Sequence, residues 1–471
     1  MLCCLVRYEK NKNAHGNITS GHFHNLGANT SFMGKKMRQI SKFAKPLLMI
    51  AGVAIWGGVS VQAADTKVIH AGQLLAVPGQ APKTQQTIVV EGDKIVAVYN
   101  GYKAVSEFGD DAELVDLKDQ FVLPGLMDMH VHIQMEIGPN SDSQRLRMSD
   151  ADVAMQSAYY AHQTLMAGFT TVRDLGALPE QLYALRDGVE KGWIAGPRII
   201  GSGGVSVTGG HGDVDGMRPD LLEKYTSKTI CDGAADCRRA TRRAVKFGAD
   251  VIKITATGGV LSDTNTGTGQ QMTDDELVEV METAHGLGRK VAAHAHAAQG
   301  INAALRAGVD SIEHGSYADE ESIRLFKETG AYLVPTLLAG DTVVKMASNS
   351  NFMSPAIKAK AVRVGADMTE HFTASYKAGV NIAYGTDSGV SRHGTNANEA
   401  ILMHQAGMSA MDILKSATVN AADLIDMSDT LGTIESGKYA DIIAVGTSPL
   451  DEISSLTQVN FVMKSGEVYK D

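Results

Sequence analysis

The residues best able to do chemistry are few and ordered along the chain: His130-Val131-His132, then Lys253, His294, His314 and Asp387. Side chains on a strand alternate between its faces, so histidines at i and i+2 point the same way and can offer both imidazoles to one ion. The others each lie in or just after a short apolar run: Ala249-Asp-Val-Ile-Lys-Ile254, Lys290-Val-Ala-Ala-His294, Ser311-Ile-Glu-His314 and Gly385-Thr-Asp-Ser-Gly389. Imidazole and carboxylate suit zinc and several other divalent ions. Lys253, flanked by Val251, Ile252 and Ile254, would be costly as a buried cation. Two readings stay open for it. The side chain could snorkel to solvent at the end of a strand, or its ε-amine could take up carbon dioxide and bridge two metal ions as a carbamate.

The elements that must position these residues follow from periodicity. From Phe121 onward, apolar runs of four to seven residues alternate with helical stretches, the pattern of repeated βα units. Eight strands are predicted: 125–133, 170–175, 198–202, 250–254, 290–294, 311–314, 332–335 and 381–385. Helices are predicted between them over 151–167, 182–188, 237–247, 274–287, 298–307, 320–329 and 355–377. Such a set closes as a (β/α)8 TIM barrel, in which catalytic residues come from the C-terminal ends of different strands. The 257 positions from His130 to Asp387 match the ~250 residues of one barrel. Before it, Lys67-Val-Ile-His70, Gln86-Thr-Ile-Val-Val90, Lys94-Ile-Val-Ala-Val98 and Ala112-Glu-Leu-Val-Asp116 read as strands split by turn signals, and strand texture returns at Ala440-Asp-Ile-Ile-Ala-Val445 and Phe461-Val-Met463. Both ends should therefore build one small β-sandwich, from 64–122 and 428–471, around a barrel over 123–427.

The 471 residues are 44% hydrophobic with a net charge of −10, an ordinary globular composition that argues against nucleic acid as a partner. The charge is uneven. Residues 1–64 hold eight bases against one acid, so the remaining chain carries −17. Within 1–63, Lys35, Lys36, Arg38, Lys42 and Lys45 precede the apolar run Leu47 to Ile55 and the small-residue sequence Val61-Gln62-Ala63. This reads as a leader with a secretory signal cleaved after Ala63, implying a periplasmic or secreted protein; the run is too short for a confident membrane span, and no stable membrane anchor is expected. In an oxidising compartment Cys231 and Cys237 could close a small loop, or stay as two thiols.

The ordered set resembles the amidohydrolase superfamily, and the likeness covers essentially the whole chain after the leader. More particular are Leu123-Pro-Gly-Leu-Met-Asp-Met-His-Val-His132, Thr170-Thr-Val-Arg-Asp-Leu-Gly176, Thr208-Gly-Gly-His-Gly212, Ile252-Lys-Ile-Thr-Ala-Thr-Gly-Gly259, Ala293-His-Ala295, Ser311-Ile-Glu-His-Gly315 and Gly432-Thr-Ile-Glu-Ser-Gly-Lys-Tyr-Ala-Asp441. These are similar to the imidazolonepropionase-related branch, with its Xaa-Pro dipeptidases, its dipeptidases for C-terminal Arg or Lys, and ochratoxin-hydrolysing amidases. The resemblance implies two divalent metal ions, zinc being the expected one. His130, His132 and Asp387 would hold the first, His294 and His314 the second, with carbamylated Lys253 bridging them.

The same resemblance implies that a metal-bridging hydroxide attacks an amide, with Asp387 as proton carrier and His211 polarising the carbonyl. His296, the rival of His294 on parity, becomes a pocket residue. His393 is expected in the pocket wall and Tyr225 at the substrate carboxylate, while Arg173 braces a strand end with Asp174 and His285 is structural or exposed. The substrate would be a small molecule, a dipeptide or an N-acyl amino acid, and the assembly a homo-oligomer, up to an octamer. A cyclic amide or lactone is the alternative substrate. A non-catalytic barrel would show eroded ligand positions, and all are filled here.

Overall fold

A computed structural model describes residues 66–262, 267–349 and 353–471. The leader and its cleavage site lie outside the described residues. Among them, no helix is long and apolar enough to cross a membrane.

The first part of the described chain and its last part share one sheet. Thr66–Leu74 pairs antiparallel with Lys83–Glu91 and parallel with Glu113–Pro124. Ile442–Val445 then adds to Glu113–Pro124, followed by Val459–Lys464 and Glu467–Lys470. At the other edge, the strand Lys94–Asn100 meets the C-terminal segment again, with Ile95 N donating to Lys438 O and Gly437 N to Ile95 O. The sheet thus curls back on itself around Ile69, Ile88, Ile95, Val122, Ile442 and Phe461, each almost wholly buried. β-branched and aromatic residues suit such a half-buried pleated surface.

Leu123 and Pro124 end that sheet, and the chain passes directly into the barrel. Its strands are β1 (Leu126–Val131), β2 (Phe169–Asp174), β3 (Arg198–Val207), β4 (Val251–Thr255), β5 (Lys290–Ala295), β6 (Ser311–His314), β7 (Tyr332–Val334) and β8 (Asn381–Ile382). They pair in parallel from β1 to β8 in chain order. Backbone bonds close the ring beyond β8: Met129 N to Tyr384 O, 2.8 Å, Asp387 N to His130 O, 2.7 Å, and His132 N to Ser388 O, 2.6 Å. The expected (β/α)8 barrel with a separate sheet domain is the fold observed.

Three helices span the expected residues: Ala298–Ala307, Glu320–Thr329 and Pro355–Lys377. Sequence periodicity misses Leu337–Asn349, which follows β7 and packs against Pro355–Lys377 at the mouth. Its first two amides are capped from a distance, Leu337 N and Leu338 N donating to the buried Glu399 carboxylate at 2.9 and 2.6 Å. Thr336, directly before that helix, has its hydroxyl on His314 Nδ1 instead. The strand β3 is longer than expected because Gly203 to Val205 continue the ladder with β4 and Ser206 and Val207 pair with Ile230 and Cys231, where a Cys231–Cys237 disulfide pins the returning loop, resolving the open cysteine reading.

Candidate active site

The mouth of the barrel gathers six histidine rings into a continuous cluster. Centroid separations are 5.4 Å for His130 and His132, 5.2 Å for His130 and His314, and 4.6 Å for His314 and His294. His296 lies 5.0 Å from His314, and His211 4.3 Å from His294. These residues stand up to 184 positions apart in the chain, counting from His130 to His314. Only the closed ring of strands brings them together.

Most of the rings are oriented by a second group at Nδ1. The partners are Glu313 Oε2 for His130 (2.9 Å), Gly176 O for His132 (2.8 Å), Thr336 Oγ1 for His314 (2.7 Å), Ser316 Oγ for His296 (2.8 Å) and Ser262 Oγ for His211 (2.6 Å). That leaves Nε2 of each available for an ion or a substrate, the arrangement by which outer groups fix a metal-binding imidazole. His294 differs, with Nε2 3.5 Å from Gly258 O.

Asp387 completes the first group. Its Oδ1 is 2.9 Å from His132 Nε2 and 3.5 Å from His130 Nε2. The ligand atoms of His130, His132 and Asp387 all lie within 4.8 Å of one another. Asp387 Oδ1 is nonetheless buried without a properly angled hydrogen bond. A buried oxygen that lacks a donor yet faces two imidazole nitrogens fits a divalent cation. The backbone turns sharply there, with φ of +57° at Asp387 and +73° at His314, conformations uncommon for residues with a side chain. Gly389 follows because a Cβ there would sit 2.7 Å from the Cβ of His132.

Burial sets the charge states. It is the main force lowering His130 to about 4 and Lys253 to about 8. For Asp387, burial pushes the other way but is outweighed by His130 and His132, which hold the carboxyl at about 2. Burial likewise works against the Glu313 carboxylate, yet Arg173 and the His130 hydrogen bond keep it at about 2. Lys253 Nζ lies 3.5 Å from His130 Nε2, inside the barrel rather than snorkelling out.

The remaining residues singled out from the sequence have partners of their own. His393 packs against the loop after β1, its Nε2 3.0 Å from Met135 O and its ring stacked on Tyr160. Tyr225 is 40% exposed at the end of the helix Pro219–Tyr225, beneath the Lys224 ammonium, with no described contact to the histidines. His285 is exposed and pairs with Asp310. Arg173 does brace the barrel, but its partner is corrected: Nη2 meets Glu313 at 2.9 Å and Nε meets Met129 O at 2.7 Å. Asp174 instead accepts from Ile133 N and Gly176 N. Arg173 reaches inward because its parity faces the barrel interior, whereas Asp174 points the other way.

Sequence reasoning missed Glu313 and Asp128. Asp128 takes four donors, His130 N, Thr386 N, Thr386 Oγ1 and Asn396 Nδ2, and so ties β1 to the Asp387 turn. The signal was present: Asp128 shares the parity of His130 and His132.

Comparison with known proteins agrees with this geometry. Residues 121–470 match the Amidohydrolase family model. The chain is 31% identical to ochratoxinase from Aspergillus niger over 432 residues, covering 87% of this chain and 88% of that one. It is 24% identical to imidazolonepropionase from Fusobacterium nucleatum over 384 residues, covering 75% and 83%. Among solved structures, a Xaa-Pro dipeptidase with methionine bound in its active site is 39% identical with a TM-score of 0.81, over 86% of this chain and all of that one. A barrel ringed by these histidines, matched along its whole length, places this chain in the amidohydrolase family, as a hydrolase of C–N bonds.

Proposed function

We propose that this protein is an exported, binuclear metal-dependent dipeptidase or carboxypeptidase of the Xaa-Pro or Xaa-Arg/Lys type. The observation that carries the reading is the convergence of His130, His132 and Asp387 beside Lys253, His294 and His314 at one barrel mouth. The likeness to a Xaa-Pro dipeptidase supports the peptide reading. The disulfide supports export, since such bonds persist in oxidising compartments.

When bound, two divalent ions would supply an activated water and polarise the scissile carbonyl. His130, His132 and Asp387 would hold one of them, and His294 and His314 the other. Lys253 would serve as a further ligand once carbamylated: its ammonium, made more acidic by burial, loses one proton, and the neutral amine adds carbon dioxide at Nζ and releases a second proton. Asp387 stays ionised at neutral pH and takes the proton of the attacking water, then returns it to the departing amine. His211, with Nδ1 held by Ser262, presents Nε2 to the substrate carbonyl oxygen. His296, buried beside His294 and His314, lines the substrate side.

The likeness to ochratoxinase favours a second reading with the same machinery, hydrolysis of an N-acyl amino acid. The deciding experiment assays the purified chain against dipeptides ending in Pro, Arg or Lys and against N-acyl amino acids including ochratoxin, with metal analysis of the same sample. Hydrolysis of the dipeptides is expected. Two bound metals with no amide hydrolysed would sink the function, and preference for the N-acyl amino acids would select the second reading.

A further inference from the structure

Lys360 belongs to the helix Pro355–Lys377, inserted between β7 and β8, yet its side chain is buried. Its ammonium donates to Gly259 O at 3.0 Å and to Ser262 O at 2.6 Å, both in the loop after β4. The same loop holds His211. Ser262 Oγ lies 2.6 Å from His211 Nδ1, and the His211 ring is packed so closely on Gly259 that a Cβ there would overlap it. His211 N is fixed separately, donating to Gln271 Oε1 at 2.8 Å.

We infer that Lys360 is a positioning residue for His211, acting through Ser262 and Gly259. A buried ammonium is retained only where hydrogen bonds to it offset its desolvation, and bonds to a charged donor are roughly twice as strong as neutral ones. Here two carbonyls of a glycine-containing segment take those bonds. Between those two carbonyls Val260 and Leu261 pack against the cluster that includes Val343 and Ala361, and the ammonium adds a polar anchor at either end of that pair. Lys360 supplies the anchor and thereby ties together loops after three barrel strands: β3 through His211, β4 through Gly259 and Ser262, and β7 through its own helix. Removing the ammonium frees both carbonyls, shifts Ser262, and releases His211 Nδ1 from the partner that orients its ring, whose centroid lies 4.3 Å from that of His294.

The inference rests on the role proposed above for His211, and the test separates the two. The substrate found in the screen is used with wild type and with His211→Asn, Lys360→Met, Lys360→Arg, Ser262→Ala and the double variant Lys360→Met with Ser262→Ala. Misplacing a catalytic group by about an ångström can cost about 100-fold. We expect kcat to fall about 100-fold in Lys360→Met with KM within about threefold, and Lys360→Arg to recover at least about tenfold of it. The double variant should be no slower than Lys360→Met alone, because both changes cut one path to His211. A His211→Asn variant with undiminished kcat would overturn the role of His211. A strong loss in His211→Asn with wild-type kcat in Lys360→Met, or with fully additive losses in the double variant, would overturn the positioning role alone. Should Lys360→Met fail to fold, Ser262→Ala decides: a kcat equal to wild type overturns the inference.

Discussion

Glu313 stands between a permanent cation and a candidate metal ligand: its Oε1 is 2.9 Å from Arg173 Nη2 and its Oε2 2.9 Å from His130 Nδ1. All three side chains are almost wholly buried. The carboxylate therefore neutralises the guanidinium and fixes the tautomer of His130 at once.

Replacing it by Glu313→Gln keeps the shape and removes the charge. Breaking a buried pair on one side costs about 3–5 kcal/mol, which urea unfolding of the metal-free protein would read. Loss of the partner of His130 should weaken metal binding about 10–100-fold in a competitive chelator titration. Because the Glu313 carboxyl is held at about 2 against an ordinary 4.5, its contribution is present above pH 4.5 and is lost as pH falls toward 2. Acid unfolding of the variant should lack that portion; identical acid profiles would remove Glu313 as the controlling group.

Asp387→Asn should suppress turnover far more than metal content. General base loss costs about 10²–10⁴-fold in kcat, whereas two imidazoles of the first group survive. Metal analysis beside steady-state kinetics checks this. A variant that turned over well but bound little metal would make Asp387 a ligand only.

Lys253 predicts a pH dependence of assembly. Carbon dioxide adds only to the neutral amine, and burial brings that amine to about 8 from 10.5. Reactivation of metal-free enzyme with zinc, at a fixed concentration of dissolved carbon dioxide, should accelerate about tenfold per pH unit below 8 and level off above it. Lys253→Met should not reactivate at any pH. A flat reactivation profile from about pH 6 to 9 would exclude the carbamate.

The Cys231–Cys237 bridge spans a separation of six residues and closes the return of the loop that carries His211. Chain entropy for so short a loop amounts to about 2 kcal/mol. Thermal unfolding with and without dithiothreitol should show a lower Tm on reduction, and the Cys231→Ala, Cys237→Ala double variant should be insensitive to the reductant. Equal melting of the oxidised and reduced protein would leave the bridge without a stabilising part.

Local pattern alone revealed the barrel, the two-ended sheet and the ordered ligand types, since strand alternation and the change from period 2 to helical period are properties of neighbouring residues. His130 and His132 share a face for that reason. The same rule fails at β6, where Glu313 and His314 are adjacent and should face opposite ways. Both nevertheless reach His130, because a φ of +73° swings His314 back over the mouth. No periodicity encodes that turn, nor the inward partner of Arg173, nor the grip of Lys360 on a loop 98 residues earlier. Those relations exist only once eight strands have closed into a ring, where residues far apart in the chain share one desolvated space and their charges must be settled against each other.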